Sequence, residues 1–321
     1  MMGFRCLLRN YLIFMKHILF SILFILWSMA TFSQNWLNTT LYPFKNHYIN
    51  LNAGKMHYID EGEGEVLLFV HGTPTWSFLY RDIIKDLSKS YRCIAIDHIG
   101  FGLSDKPESF PGTPELHSEN LKEFVELLEL TDITLIVHDF GGPIGLAAAI
   151  TNPDRIKNIV LFNTWLWETS SNKEAQKVDK ILNSGLGRFM YLKLNFSPKV
   201  LLKKGFSDKK LLSKEIHDHY IKPFPNKSSR YSLLRIGQGL VGSSDWYQQQ
   251  WENLNKIENK NWLILWGTKD EFVSQEYLEK WKSRLPEANI EELDCGHFVQ
   301  EEKTDQVIIA INSFMKRLRA I

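Results

Sequence analysis

Short runs of almost unbroken apolar residues recur along the chain. Val66–Val70, Cys93–Ile96, Ile133–Val137, Ile159–Phe162 and Trp262–Trp266 follow this pattern, and Ile290–Leu293 reads as a further strand. A strand covered on both faces needs no polar side, so such runs predict a parallel sheet. Ahead of them, His47–Leu51 and Lys55–Asp60 read as a short hairpin. Helical spacing fills most of the gaps, in Leu79–Leu87, Leu116–Leu130 and Glu276–Leu285. Strands alternating with helices predict an α/β chain with a mostly parallel, doubly wound sheet. The rhythm breaks once. About a hundred residues separate Phe162 from Trp262, helical in character over Lys173–Gly187, Met190–Phe206 and Leu211–Tyr220. We expect a helical cap inserted after the sixth core strand, the hairpin included. Residues 34–164 and 251–321 then build the core and 165–250 the cap.

The N-terminus has a different pattern. Ile18–Trp27 is apolar, follows Lys16 and His17, and gives way to Thr31-Phe32-Ser33, with small residues where a signal peptidase cuts. The run is short for a spanning helix of roughly 20 residues. It predicts a secretory signal over 1–33, cleaved near Ser33, and an exported protein; an uncleaved membrane anchor is the alternative. The polar stretch Gln34–Thr40 argues against a helix of the folded domain.

Composition narrows the function. Of 321 residues 44% are hydrophobic and 23% charged, which excludes a disordered chain. Lys and Arg number 38 against 37 Asp and Glu, so nucleic acid is not the expected partner. Cys6, Cys93 and Cys295 are too scattered for a disulfide scaffold or a zinc cage. No phosphate loop or dinucleotide fingerprint occurs. The expected partners are a small apolar substrate and water, with no specific protein partner, and a membrane only if the N-terminal segment stays uncleaved.

In open α/β sheets, ligands bind at the carboxyl ends of the strands, and four of those ends carry reactive residues. They are His71-Gly72-Thr73-Pro74, His138-Asp139-Phe140-Gly141-Gly142, Gly267-Thr268-Lys269-Asp270 and Asp294-Cys295-Gly296-His297-Phe298. Nucleophile, acid and histidine occur in the chain order of an α/β-hydrolase triad, with Asp139 where ester hydrolases place Ser. Two glycines after Asp139 let a helix start close to the strand, leaving Asp139 in a strained, exposed turn. Position 137 is Val, where the strict motif has Gly. A carboxylate is already ionised at neutral pH, so Asp139 can attack an sp3 carbon and form an ester. His297 then activates water, Asp270 holds the imidazole, and the amides of Thr73 and Phe140 receive the oxyanion. Each residue alone has a plain structural reading, as a cap, a surface histidine or a turn former. Agreement in type, order and spacing carries the catalytic one. Asp97 is read as structural, shaping the turn after its strand.

The segments His71–Ser77, Asp97–Pro107, Val137–Gly142 and Gly296–Glu301 resemble haloalkane dehalogenases. More broadly they resemble the Asp-nucleophile branch of α/β-hydrolases, which includes epoxide hydrolases. The resemblance covers about residue 45 to the end and is specific for the core. It implies a cofactor-free hydrolase with nucleophile Asp139, base His297 and acid Asp270, acting on carbon–halogen bonds of small apolar substrates. In one dehalogenase subfamily the acid follows the preceding strand; that place is Asn163 here. The family holds the halide with the indole N–H of a Trp directly after the nucleophile. Here that residue is Phe140, which has no N–H, and Thr73 stands where many members have Asn or Glu. Trp165 and Trp167 are the candidate replacement donors, with packing under the cap as the other reading. Epoxide hydrolases use cap tyrosines as acids, for which Tyr191, Tyr220, Tyr231 and Tyr247 are available. β-Lactone decarboxylases share a similar Pro74–Ser77 and Asp97–Gly100 signature, although export fits poorly with intracellular hydrocarbon synthesis. A non-catalytic binding protein on the same fold is a further alternative, against which all three triad positions count.

Overall fold

The computed structural model describes residues 36–319. The apolar run Ile18–Trp27 and the cleavage site near Ser33 lie outside the described residues. Residues 36–43 are a separate turn-rich stretch, in which Asn38 Oδ1 accepts from the Thr40 amide at 2.7 Å. The unit that follows starts at Phe44.

Its centre is an eight-stranded sheet in the order β1-β2-β4-β3-β5-β6-β7-β8. The strands are β1 (His47–Leu51), β2 (Gly54–Glu61), β3 (Val66–Val70), β4 (Arg92–Ile96), β5 (Ile133–Val137), β6 (Ile156–Phe162), β7 (Asn261–Gly267) and β8 (Asn289–Leu293). β1 and β2 pair antiparallel and β2 joins β4 antiparallel; every other pairing is parallel. Strand order therefore reverses around β3, and the ends of β3 and β5 lie side by side, with Val70 opposite Val137. All five residues of β5 are buried, which is why that segment has no polar face.

Helices α1 (Arg81–Leu87), α2 (Pro114–Leu127) and α3 (Gly141–Thr151) follow β3, β4 and β5. Between β6 and β7 come α4 (Lys173–Asn183), α5 (Gly185–Leu194), a π turn (Ser197–Leu201), α6 (Lys214–Ile221), α7 (Tyr231–Gly242) and α8 (Ser244–Glu252). After β7 come α9 (Gln275–Arg284), α10 (Val299–Glu302) and α11 (Thr304–Arg319).

Two expected helices are broken. The one expected over Lys173–Gly187 ends at Asn183, because the Ser184 side chain accepts from the Gly187 amide and starts a new helix. A Cβ on Gly187 would overlap Ile181 O, so glycine allows the tight turn. The one expected over Met190–Phe206 is interrupted at Asn195, whose φ of 55° is left-handed, and continues as the π turn. Asp97 shapes its turn as expected. Its carboxylate accepts from Ser77 N–H, Leu103 N–H and His57 Nδ1, each at 2.8 Å. Burial works against its charge, but His57 and these donors hold it down at about 2.

Candidate active site

Asp139 sits at the tip of the turn between β5 and α3 with φ of 53°. A non-glycine residue there carries roughly 1–3 kcal/mol of backbone strain. Its surroundings fix the conformation. The Asp139 amide donates to Asn163 O (3.0 Å) and Thr164 Oγ1 donates to Asp139 O (2.6 Å). The two following glycines are required by contact: a Cβ on Gly141 would overlap Val70 O, and one on Gly142 would overlap Thr164 Oγ1. Val137, in place of the motif's glycine, is accommodated by Gly145, whose missing side chain leaves room for Val137 Cγ1. The sequence suggests an exposed tip, but Asp139 is 8% exposed.

The triad positions meet. His297 Nδ1 lies 2.7 Å from Asp270 Oδ2, and His297 Nε2 lies 3.5 Å from Asp139 Oδ2. Asp270 spends its other oxygen on the loop, accepting from the amides of Phe272 (2.7 Å) and Val273 (3.1 Å). It is thus both a turn cap and the histidine's partner. The backbone of His297 is pinned as well: its amide donates to Gly205 O (2.8 Å), and His138 Nε2 donates to its carbonyl (2.9 Å). Burial drives His138 down to about 3, so it is neutral.

Charge is concentrated in this buried space. Burial lowers the pKa of His297, but Asp270 and Asp139 outweigh it and push the value up to about 10. The two neighbouring carboxylates favour its imidazolium form. Burial raises Asp139, yet His297, His138 and the Phe140 amide together hold it below the usual carboxylate range. The surroundings thus favour the carboxylate form of Asp139.

Two backbone amides face the Asp139 carboxylate. The Thr73 amide donates to Asp139 Oδ1 at 2.7 Å, and the Phe140 amide hydrogen-bonds the same carboxylate. The peptide that carries the Thr73 N–H is clamped at its other end. Gly72 O accepts from His71 Nδ1 (2.7 Å) and from Thr75 Oγ1 (3.1 Å). His71 Nε2 accepts from the His98 amide (3.0 Å), which places the ring proton on Nδ1.

The other candidates separate. Trp165 packs edge-on against Phe140, centroids 4.9 Å apart, and its Nε1 is buried with no partner among the described residues. Thr73 Oγ1 is in the same condition. Trp167 lies in an aromatic cluster with Trp251, Tyr277 and Trp281, which matches the packing reading. Tyr220 donates to Glu301, itself in a two-pronged pair with Arg81; as an acid for a substrate it is already committed. Tyr247 donates to Gly239 O (2.8 Å), and Tyr231 lies against the cations of Lys227 and Arg235. Tyr191 is raised to about 12 by burial and by the charge of Asp139, against a lowering hydrogen bond from Ser197.

The family model described as alpha/beta hydrolase fold matches residues 65–304. The chain belongs to that family. It is 36% identical to the cis-3-alkyl-4-alkyloxetan-2-one decarboxylase of Shewanella oneidensis over 86% of this chain and 90% of that one. It is 32% identical to haloalkane dehalogenase 2 of Mycobacterium tuberculosis over 84% of this chain and 95% of that one. Among solved structures, haloalkane dehalogenase DatA of Agrobacterium tumefaciens is 25% identical, with a TM-score of 0.79 over 88% of this chain and 99% of that one. This is an α/β hydrolase of the dehalogenase-like type.

Within this hydrolase, Asn163 occupies the alternative acid position. Its amide bridges strands: Nδ2 donates to Gly267 O (3.0 Å), and Oδ1 accepts from the Gly267 amide (2.7 Å). It is fully used there, and His297 turns to Asp270. Sequence reasoning missed the supporting residues His71, His98 and His138, because an isolated buried histidine leaves no periodic signal. It also missed Glu302, which accepts from the amides of Gly296 (2.9 Å), Ser207 (3.1 Å) and Asp208 (2.9 Å). An acidic residue shortly after the motif histidine was the only sign of it.

Proposed function

We propose that this hydrolase cleaves carbon–halogen bonds of small apolar substrates through an ester on Asp139, with His297 as base and Asp270 as its partner. The observation that carries this reading is the linked geometry of Asp270, His297, Asp139 and the Thr73 amide. Asp139 Oδ2 attacks the sp3 carbon, the carbon–halogen bond breaks, and the halide leaves with its electron pair. Esterification removes the charge that held the proton on His297, so the imidazolium loses it to solvent and becomes a base. His297 then takes a proton from water as the water oxygen bonds to Asp139 Cγ. The negative charge collects on Oδ1, which the Thr73 amide faces, with the Phe140 amide beside the same carboxyl group. Collapse breaks the ester bond, His297 gives its proton to the departing alcohol oxygen, and the new carboxyl group passes its own proton to His297, which restores the carboxylate and the imidazolium.

The helices between β6 and β7 act as a cap in this reading. Support comes from Tyr191 and Tyr247, both in that segment: burial raises each, and the charge of Asp139 adds to it, behind that of Glu115 at Tyr247. Trp165 Nε1 and Thr73 Oγ1 would receive the leaving group in place of the missing indole at Phe140. A buried unpaired donor costs roughly 1–3 kcal/mol, which an anion there would recover.

A second reading draws support from the 36% identity to the oxetanone decarboxylase. Here Asp139 attacks the sp3 carbon bearing the ring oxygen of a β-lactone, and the leaving group is a carboxylate tethered to the substrate. Epoxide opening is disfavoured by the commitment of Tyr220 to Glu301. We also propose export by residues 1–33 with cleavage near Ser33, which N-terminal sequencing of the mature protein tests.

The deciding experiment is intact-protein mass spectrometry of His297→Ala with a bromoalkane, a β-lactone and a terminal epoxide in turn. A gain equal to the alkyl group, mapped to Asp139, is expected with the bromoalkane. A gain with the lactone alone moves the assignment to the second reading. No adduct from folded protein with any of the three overturns the covalent mechanism.

A further inference from the structure

We propose that the helical segment between β6 and β7 docks on an anionic lipid surface. Two independent observations meet there. The first is charge. Between Ser171 and Arg230, 14 Lys and Arg stand against 5 Asp and Glu, a net +9 in a chain whose total is +1. The remainder of the chain is therefore net negative. Lys180, Lys193, Lys199 and Lys203 are exposed, and none has a carboxylate partner among the described residues. The second is exposed apolar surface on the same elements. Val178, Ile181, Leu186, Phe189, Leu194 and Val200 are 41–68% exposed, with Leu186 at 68% and Phe189 at 52%. They lie on α4, α5 and the π turn, interleaved with the lysines.

Basic side chains alternating with exposed large apolar ones are what the headgroup boundary of a bilayer accepts. A protein partner fits less well. Of the 14 cations, 12 are Lys and 2 are Arg, whereas protein interfaces favour Arg and deplete Lys. Nucleic acid fits the charge but offers nothing to the apolar side chains between the lysines. The proposal does not depend on the reaction at Asp139.

The test uses the full chain. Co-sedimentation is measured with vesicles of phosphatidylcholine alone and of phosphatidylcholine with phosphatidylglycerol, at low and high salt. Lys193→Glu/Lys199→Glu/Lys203→Glu and Leu186→Ser/Phe189→Ser are compared with the native protein, each shown folded by its thermal unfolding. The N-terminal run, with Arg5, Arg9 and Lys16, is present in every protein compared and gives a common background. Native protein is expected to prefer the anionic vesicles, less so in high salt. The triple charge reversal should weaken that binding by roughly 100-fold, taking each basic residue near the surface as worth about a factor of five. The serine variant should weaken binding to anionic vesicles while keeping its salt dependence. Equal binding of the charge variant and the native chain, or no preference for anionic lipid, overturns the proposal. So does a lipid-free dimer that dissociates in the serine variant, which would assign the surface to a second copy of the chain.

Discussion

Replacing Asp139 with Asn should make His297 a markedly weaker base. His297 stands at about 10 because the carboxylates of Asp270 and Asp139 overcome its burial. The Asp139 contribution can be sized from the 3.5 Å separation. A unit charge at that distance is worth about 4.7 kcal/mol at an effective dielectric of about 20, or roughly 3.5 pH units. The amide keeps a hydrogen-bond acceptor, so the expected fall is about 2–3 pH units, toward neutrality. Esterification removes the same charge, so the variant stands in for the intermediate. The assay is an NMR pH titration of protein labelled at the histidine ring nitrogens, with His297 assigned by its loss in His297→Ala. A change of less than about half a pH unit would refute the reasoning, because Asp139 would then not hold the proton. Base activation could not follow from alkylation in that case.

Other expectations follow from the same geometry. His297 is raised above its ordinary 6.5, so its contribution to stability is complete below that pH and is lost as pH rises toward 10; urea unfolding at several pH values should show this loss in the native chain and not in His297→Gln. Gly142→Ala places a Cβ against Thr164 Oγ1 and should cost about 1–3 kcal/mol of stability; turnover should fall further than the loss of folded protein explains. Tyr220→Phe removes the hydroxyl from Glu301 and should lower stability by about 1–2 kcal/mol while ester formation in the His297→Ala background proceeds. Trp165→Phe should keep its stability, since it deletes a buried unpaired N–H, yet slow ester formation by about tenfold or more.

The strands were legible because burial on both faces leaves an apolar run with no competing pattern. Predicted and observed limits differ by only a few residues from β1 to β8. Asp139, Asp270 and His297 were legible because each follows such a strand, and parallel pairing brings neighbouring strand ends together. The region between β6 and β7 was less so. Its helices break where Ser184 caps a new start and where Asn195 turns left-handed, choices made by local hydrogen bonds that periodicity does not encode. Neither the isolation of the Trp165 N–H nor the commitment of Tyr220 to Glu301 could be read in advance, since both depend on contacts between segments far apart in the chain. The C-terminal helix α11 did carry a readable signal, with Val307, Ala310, Ile311 and Phe314 buried at helical spacing.

Glu302 ties the turn at Ser207 and Asp208 to the loop carrying His297, and the His297 amide is bound to Gly205 of the same turn. The loop of His297 is thus fastened to the helical segment that follows β6. Displacing the turn at Gly205, Ser207 and Asp208 would pull on the loop of His297 through these bonds, so the position of the imidazole and the path of this turn are set together.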